Sequence, residues 1–315
     1  MPQSLFFFFG IYICSFIVVL GCDSWFLLWF GLEVNMISFI AVIYSRSLMS
    51  IEGCMKYFFI QSVGSGMLMC SLYFDYSGMI NFVSFILSYK MGAGPFFFWF
   101  SSICESLNWV SCFLLMTFQK VMPLLLISMF MGMVVWFIIL VSIVVGVMGA
   151  FNEKKLKKLL AFSSIHHMGW MMMCNYLGSF IWIFYWFGYL FMLLGLVILF
   201  SSSMSLEVND LLLVDNKLIL ILSMLNMGGI PPMFGFFLKW FVFYLLWGYM
   251  NMYLMIMIIM SVFMLYIYLR MVYSILVGGL FFCYEDEKVF LSMKNLMSGV
   301  FLMMSILLGL VILIF

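Results

Sequence analysis

The sequence predicts an all-α, polytopic membrane protein with about eleven transmembrane helices, and three observations carry that expectation. Hydrophobic residues make up 68% of the 315, led by 39 Phe and 34 Met. Only 13 Lys and Arg and 12 Asp and Glu are present, 8% of the chain, where a soluble domain carries about 25%. Apolar stretches of about 20 residues, the length that crosses a bilayer, follow one another along the chain with short interruptions. A soluble fold would have to present a polar exterior that this composition does not supply. A net charge of +1 offers no broad basic face to a nucleic acid. The composition equally excludes a disordered chain and a disulfide-stapled secreted domain.

In order, the first span is placed near 4–21, an apolar run that opens directly after Met1-Pro2-Gln3-Ser4. No positive n-region precedes it and the first basic residue is Arg46, so cotranslational insertion from the compartment of synthesis is expected. The second span, 24–44, ends at Arg46, and the third covers 53–73. The fourth (77–100), fifth (107–130) and ninth (213–245) contain proline and are expected to be broken or kinked. The sixth, 132–151, is bounded by Lys154-Lys155-Leu156-Lys157-Lys158, read as an interfacial anchor. The seventh (158–177), eighth (179–203) and tenth (250–276) follow, and Lys288 and Lys294 separate the tenth from the eleventh, 295–315. Together they describe one membrane domain, 1–315, with pseudo-repeats near 4–130 and 132–276 and one appended C-terminal span.

The connections after spans 2, 6 and 10 carry Arg46, the Lys154–Lys158 run and Lys288 with Lys294, whereas those after spans 1, 3, 5, 7 and 9 hold no Lys or Arg. Positive charge marks the side from which insertion occurs. The N-terminus is therefore expected on the positive side, and the C-terminus, after an odd number of spans, on the opposite side.

Four ionisable residues fall deep in spans: Glu33, Lys90, Lys120 and Lys239. At about 2.5–3.5 kcal/mol each near a helix centre, they cost on the order of 10–14 kcal/mol, comparable to the whole stability of an ordinary protein. Such residues pair or line a hydrated route. Lys56, near the start of its span, is read instead as snorkelling to the interface. Spans 4 and 9 share a further pattern, a Gly/Pro interruption beside a lysine. One reads Lys90-Met91-Gly92-Ala93-Gly94-Pro95, the other Gly228-Gly229-Ile230-Pro231-Pro232, with Lys239 following. They are five spans apart, which places them in opposite orientation, as in inverted-repeat transporters whose ion route runs through paired broken helices.

The two histidines, His166 and His167, are adjacent on a helix and cannot face one metal in the usual i, i+4 manner, and two bis-imidazole haems would require four histidines on different helices, so a cytochrome-b-type role is excluded. The eight cysteines show no C-x-x-C spacing and are expected to be small buried hydrophobes. No Gly-rich nucleotide loop occurs. Electrons and nucleotides are not expected to be handled by this chain, and ions are.

Several stretches together resemble a known family. They are Gly31-Leu32-Glu33-Val34-Asn35-Met36, Lys56-Tyr57-Phe58 with Gln61, Lys90 through Trp99, and Thr117-Phe118-Gln119-Lys120 with Pro123. The strongest are Ala161-Phe162-Ser163-Ser164-Ile165-His166-His167-Met168-Gly169-Trp170 and Gly228 through Trp240, closed by Tyr266 through Arg270. In this order they resemble the mitochondrially encoded, antiporter-like subunit 2 family of respiratory complex I, NADH:ubiquinone oxidoreductase. The resemblance implies a subunit of the inner mitochondrial membrane with its N-terminus on the matrix side and its C-terminus on the intermembrane side. It implies proton translocation through Glu33 paired with Lys90, through Lys120 and through Lys239, with His167 as a candidate relay. It implies no cofactor in this chain, because NADH, FMN, iron–sulfur clusters and ubiquinone are handled by other subunits. The implied partners are the neighbouring membrane subunits, numbers 4 and 4L among them, accessory subunits and membrane lipids. Phe97, Ser101 and Leu238 depart from the family pattern, which more often has His, Pro and Pro there. A cation/proton antiporter subunit shares the Glu–Lys–Lys arrangement and is the alternative reading. A non-conducting scaffold would instead place its charges at span ends.

Overall fold

The computed structural model describes residues 3–22, 24–73, 78–178, 180–203, 207–208, 211, 217–247, 251–282 and 299–300. Apart from residues 299–300, the eleventh expected span lies outside the described residues, as do Cys283, Lys288 and Lys294. Every regular element among the described residues is helical, so the chain is all-α. Two compact units are present, Met1–Ser142 and Ile143–Phe315.

The first unit opens with α1 (Gln3–Gly21), α2 (Trp25–Ile43) and α3 (Leu48–Tyr73), each packed on its neighbour. The fourth expected span is broken as anticipated. Helix α4 (Met79–Met91) ends at Gly92, whose φ of 68° puts it in the left-handed region that glycine enters without a Cβ penalty. A 3-10 turn over Gly94–Phe96 with Pro95 inside it follows, and α5 (Phe97–Ser106) continues. The fifth expected span is also interrupted, but not at its proline. Helix α6 (Trp109–Met116) stops at Thr117, whose hydroxyl donates to the Phe113 carbonyl. A 3-10 turn over Phe118–Lys120 intervenes before α7 (Val121–Met129). Pro123 sits in the first turn of α7, where an absent N–H leaves no bond unmade. The interruption therefore falls on the lysine itself, and 3-10 segments inside a span often mark functional positions. Helix α8 (Met133–Ala150) runs out of this unit.

The second unit holds α9 (Leu156–Leu177), α10 (Ile181–Ser203), the broken pair α11 (Lys217–Gly228) and α12 (Phe234–Leu246), and α13 (Asn251–Phe282). Helix α10 contacts α9, α11 and α12, and α11 packs along α13. Between α11 and α12 the chain turns through Gly229, φ 81°, and a cis Pro231–Pro232 peptide. Lys155 pairs by an isolated antiparallel bridge with Glu207. Arg270 of α13 donates to the Phe151 carbonyl at 2.7 Å. Among the described residues, five stretches, including α2, α8 and most of α10 and α13, are long and apolar enough to cross a membrane by length and composition.

Not every expectation about minor residues holds. Cys54, Cys104, Cys112 and Cys174 are buried, but Cys14 and Cys70 lie on outward faces, because apolar residues of a membrane helix need not point inward. Lys56 is exposed and pairs with Glu52 one helical turn earlier.

Candidate functional site

The lysines singled out from the sequence are all buried: Lys90 is 6% exposed, Lys120 2% and Lys239 5%. Lys90 and Lys120 stand at helix interruptions and Lys239, inside α12, reaches one with its amine; there side chains and backbone provide polar atoms that a continuous helix would have used internally.

In the first unit Lys90 occupies the last turn of α4, just before Gly92. Two side chains reach the carbonyls at the break. Gln61 of α3 donates from Nε2 to the Lys90 carbonyl at 2.9 Å, and Trp99 of α5 donates from Nε1 to the Tyr89 carbonyl at 3.2 Å. The Lys90 stem lies across Gly64 of α3, where a Cβ would come within 2.9 Å of its Cγ. Lys120 reaches over the Phe100 ring, its Nζ 4.5 Å from the ring centroid. Lys90 and Lys120 line one cavity together with Asn35, Tyr57, Gln61, Gln119 and apolar neighbours. About 20 Å³ of that cavity is open to the centre of a water-sized sphere, which is room for one water. The Gln119 amide nitrogen is buried there without a protein acceptor.

Glu33, midway along α2, is half-buried and is the charged group that acts on Lys90 through space. Among the described residues no ion pair within 4.0 Å joins the two side chains. Asn35, two residues on, donates to Ser15 of α1 at 3.0 Å and ties α2 to α1.

In the second unit Lys239 donates to the carbonyl of Gly228, the last residue of α11, at 2.9 Å. It therefore caps the negative end of one half-helix from within the other. Asn226 provides the reciprocal contact, its Oδ1 accepting from the Gly235 N–H at 3.1 Å near the start of α12. Replacing Asn226 with Leu orphans a buried N–H, at a cost of about 1–3 kcal/mol. The expected result is loss of the chain's native-gel band at a temperature several degrees below wild type; an unchanged temperature would show that the cap contributes little.

The histidines separate into two roles. His166 accepts from Trp170 Nε1 at its Nε2, 3.1 Å, and its Nδ1 faces the Ile143 carbonyl at 3.5 Å, which assigns the ring proton to Nδ1. Its backbone lies against Gly146, so α8 and α9 touch there. Lys239 is within electrostatic reach of His166. His167 Nδ1 and the Tyr185 hydroxyl are 2.8 Å apart, and the Tyr189 ring lies 5.0 Å from the imidazole.

The structure thus brings Lys90 and Lys120 to one cavity with Glu33 in electrostatic reach, and gathers Lys239, His166 and His167 in the other unit. Residues to which the sequence assigned no role complete both places: Trp99, Phe100, Gln119, Asn226 and Tyr185. Gln119 and Asn226 carried a signal of their own, as amides deep in apolar spans, one beside a lysine and the other just before a Gly-Gly pair. Of the departures from the family pattern, Leu238 packs on Gly188 in an unbroken α12, and Ser101 Oγ donates to the Phe98 carbonyl within α5. Among the described residues, no group of three or more His, Cys, Asp or Glu could hold a metal ion.

A family model described as the NADH:quinone oxidoreductase/Mrp antiporter transmembrane family matches residues 77–266. The NADH-ubiquinone oxidoreductase chain 2 of Aedes aegypti is 34% identical over 288 residues, 85% of this chain and 84% of that protein. The protein of the same name from Artemia franciscana is 36% identical over 229 residues, 72% of this chain and 75% of its own length. Among solved structures, a chain of respiratory complex I from Thermus thermophilus with bound aureothin superposes with a TM-score of 0.81 at 19% identity. That match covers 98% of this chain and 78% of the other. A chain of the Mrp complex from Dietzia sp. superposes with a TM-score of 0.72 at 14% identity, covering 85% and 59%. At these identities the structural likenesses establish the fold.

Proposed function

The chain belongs to the NADH:quinone oxidoreductase/Mrp antiporter family, and within it to the NADH-ubiquinone oxidoreductase chain 2 proteins; from that premise we propose that its buried charges move protons. It is an antiporter-like, multi-pass membrane subunit of the NADH:ubiquinone oxidoreductase assembly, which is an enzyme, and its partners are other subunits of that assembly. In the proposed mechanism Glu33, Lys90, Lys120 and Lys239 hold protons in turn, and His167 with Tyr185 relays between protonation states. Low dielectric disfavours a lysine ammonium and a nearby carboxylate favours it, so displacing charge near Glu33 changes how readily Lys90 holds its proton. The change at Lys90 is then felt at Lys120 across their shared cavity. Moving one charge against the membrane field takes about 2.3 kcal/mol per 100 mV. Quinone reduction elsewhere in the assembly supplies that energy, and NADH, FMN, iron–sulfur clusters and ubiquinone are bound by other subunits.

The observation that carries this reading is the single cavity lined by Lys90 and Lys120, with three side-chain amides around it. We place the protein in the inner mitochondrial membrane, its N-terminus in the matrix and its C-terminus in the intermembrane space, beside subunits 4 and 4L. The basic connections support that orientation. A native gel of gently solubilised mitochondria tests the assignment. The chain is expected to comigrate with a large NADH-oxidising assembly; migration as a small independent species would favour the cation/proton antiporter.

A further inference from the structure

We propose that Phe100 is a positioning residue for Lys120, coupling it to the broken helix that carries Lys90. The inference rests on the reading of Lys120 as a proton-holding group. Four observations converge on this ring. Phe100 is 1% exposed and offers its face to the Lys120 Nζ at 4.5 Å, inside the range in which a ring attracts a cation and not its neutral form. Its seat is made by Gly92, where a Cβ would come within 2.8 Å of the Phe100 Cβ. Gly92 is the left-handed residue that ends α4, two positions after Lys90. The residue before Phe100, Trp99, donates to the Tyr89 carbonyl in the last turn of α4. Adjacent residues of α5 therefore grip the end of the Lys90 helix and underlie the Lys120 amine.

A shift of that helix end cannot leave the ring in place, because Gly92 and Phe100 are in contact and buried packing is close. Displacing the ring weakens its attraction for an ammonium on Lys120 while leaving a neutral amine little affected. The state of Lys90 is thereby transmitted to Lys120 mechanically as well as through the cavity. The titratable groups around Lys120 include Cys104 of α5, Cys112 of α6 and, across the cavity, Lys90 of α4 and Tyr57 of α3.

The test is the ratio of protons moved to NADH oxidised, measured from pH 6 to 9 in vesicles containing the intact complex. For Phe100→Leu the alkaline limb of this ratio is expected to move to lower pH by about half to one unit, the size of a cation–ring attraction. The sign follows because a lysine without the ring gives up its proton at lower pH. Phe100→Tyr, which retains the ring, is expected to restore the wild-type profile. Phe100→Met provides the same comparison should the leucine variant not assemble. Profiles of the leucine or methionine variant that superimpose on wild type, or a tyrosine variant shifted as far as they are, would overturn the coupling. Lys120→Ala is measured alongside. If it moves protons normally, the reading of Lys120 fails; if it does not while the Phe100 variants behave as wild type, only the coupling fails.

Discussion

An assembly carrying Lys120→Ala is expected to form and to bind its neighbours, yet to lose the proton movement that depends on this chain. The side chain stands at the only 3-10 interruption of its span, 2% exposed, with its amine over a ring and its stem lining the cavity shared with Lys90. Removing it leaves a stretch of apolar surroundings without a base. A charge entering such a stretch meets a cost of several kcal/mol, which at 1.36 kcal/mol per decade slows transfer along this route by about a hundredfold or more. The measurement is proton uptake per NADH oxidised in vesicles, normalised to the assembled complex on a native gel. Lys120→Arg separates chemistry from architecture. An arginine keeps the charge but does not release its proton, so the proposed role predicts that it fails as alanine does. Recovery with arginine, or undiminished uptake with alanine, would show Lys120 to be structural.

The second large effect is on the fold. Gly235 lies against the Asn226 backbone carbonyl so closely that a Cβ would overlap it, with Met192 Sδ also near. Gly235→Ala must therefore push the start of α12 away from α11. Overpacking against backbone costs about 1–3 kcal/mol or more. The displaced caps, Gly235 N–H to Asn226 and Lys239 to the Gly228 carbonyl, each forfeit about 1 kcal/mol. A loss of roughly 3–5 kcal/mol in total consumes much of an ordinary stability margin. The expected readout is depletion of the chain from the assembled complex after pulse-labelling of mitochondrial translation. Gly195→Ala is the control. It lies in helix α10 with nothing within 4 Å of an added Cβ, and alanine is the better helix former. Equal assembly of both variants would show that the contact between α11 and α12 tolerates relaxation.

Much of this architecture is legible in one dimension. The expected spans near 24–44 and 132–151 coincide with α2 and α8 to within one or two residues. Gly92 with Pro95, and Gly229 with Pro231, announce the two breaks, since glycine enters positive φ and proline removes a donor wherever they stand. The fifth span shows the limit of that reasoning. Pro123 predicts a disturbance, and the helix is in fact interrupted at Thr117–Lys120, ahead of it, because proline in a first helical turn disturbs nothing.

The sequence by itself determined that this is a helical membrane protein, roughly where it crosses, and which charges the bilayer penalises. These follow from residue-by-residue transfer costs that require no partner. Only the tertiary structure decided that Lys90 and Lys120 share a cavity and that Gln61, 29 residues before Lys90, holds the open carbonyl of its helix. It likewise decided that Phe100 underlies Lys120, and that Lys239 closes the end of the half-helix before its own. Hydropathy is a property of single residues, but a cap, a ring seat or a shared cavity is a property of two helix faces meeting. Which faces meet is settled by packing, through features as small as the missing Cβ atoms of Gly64, Gly92 and Gly235.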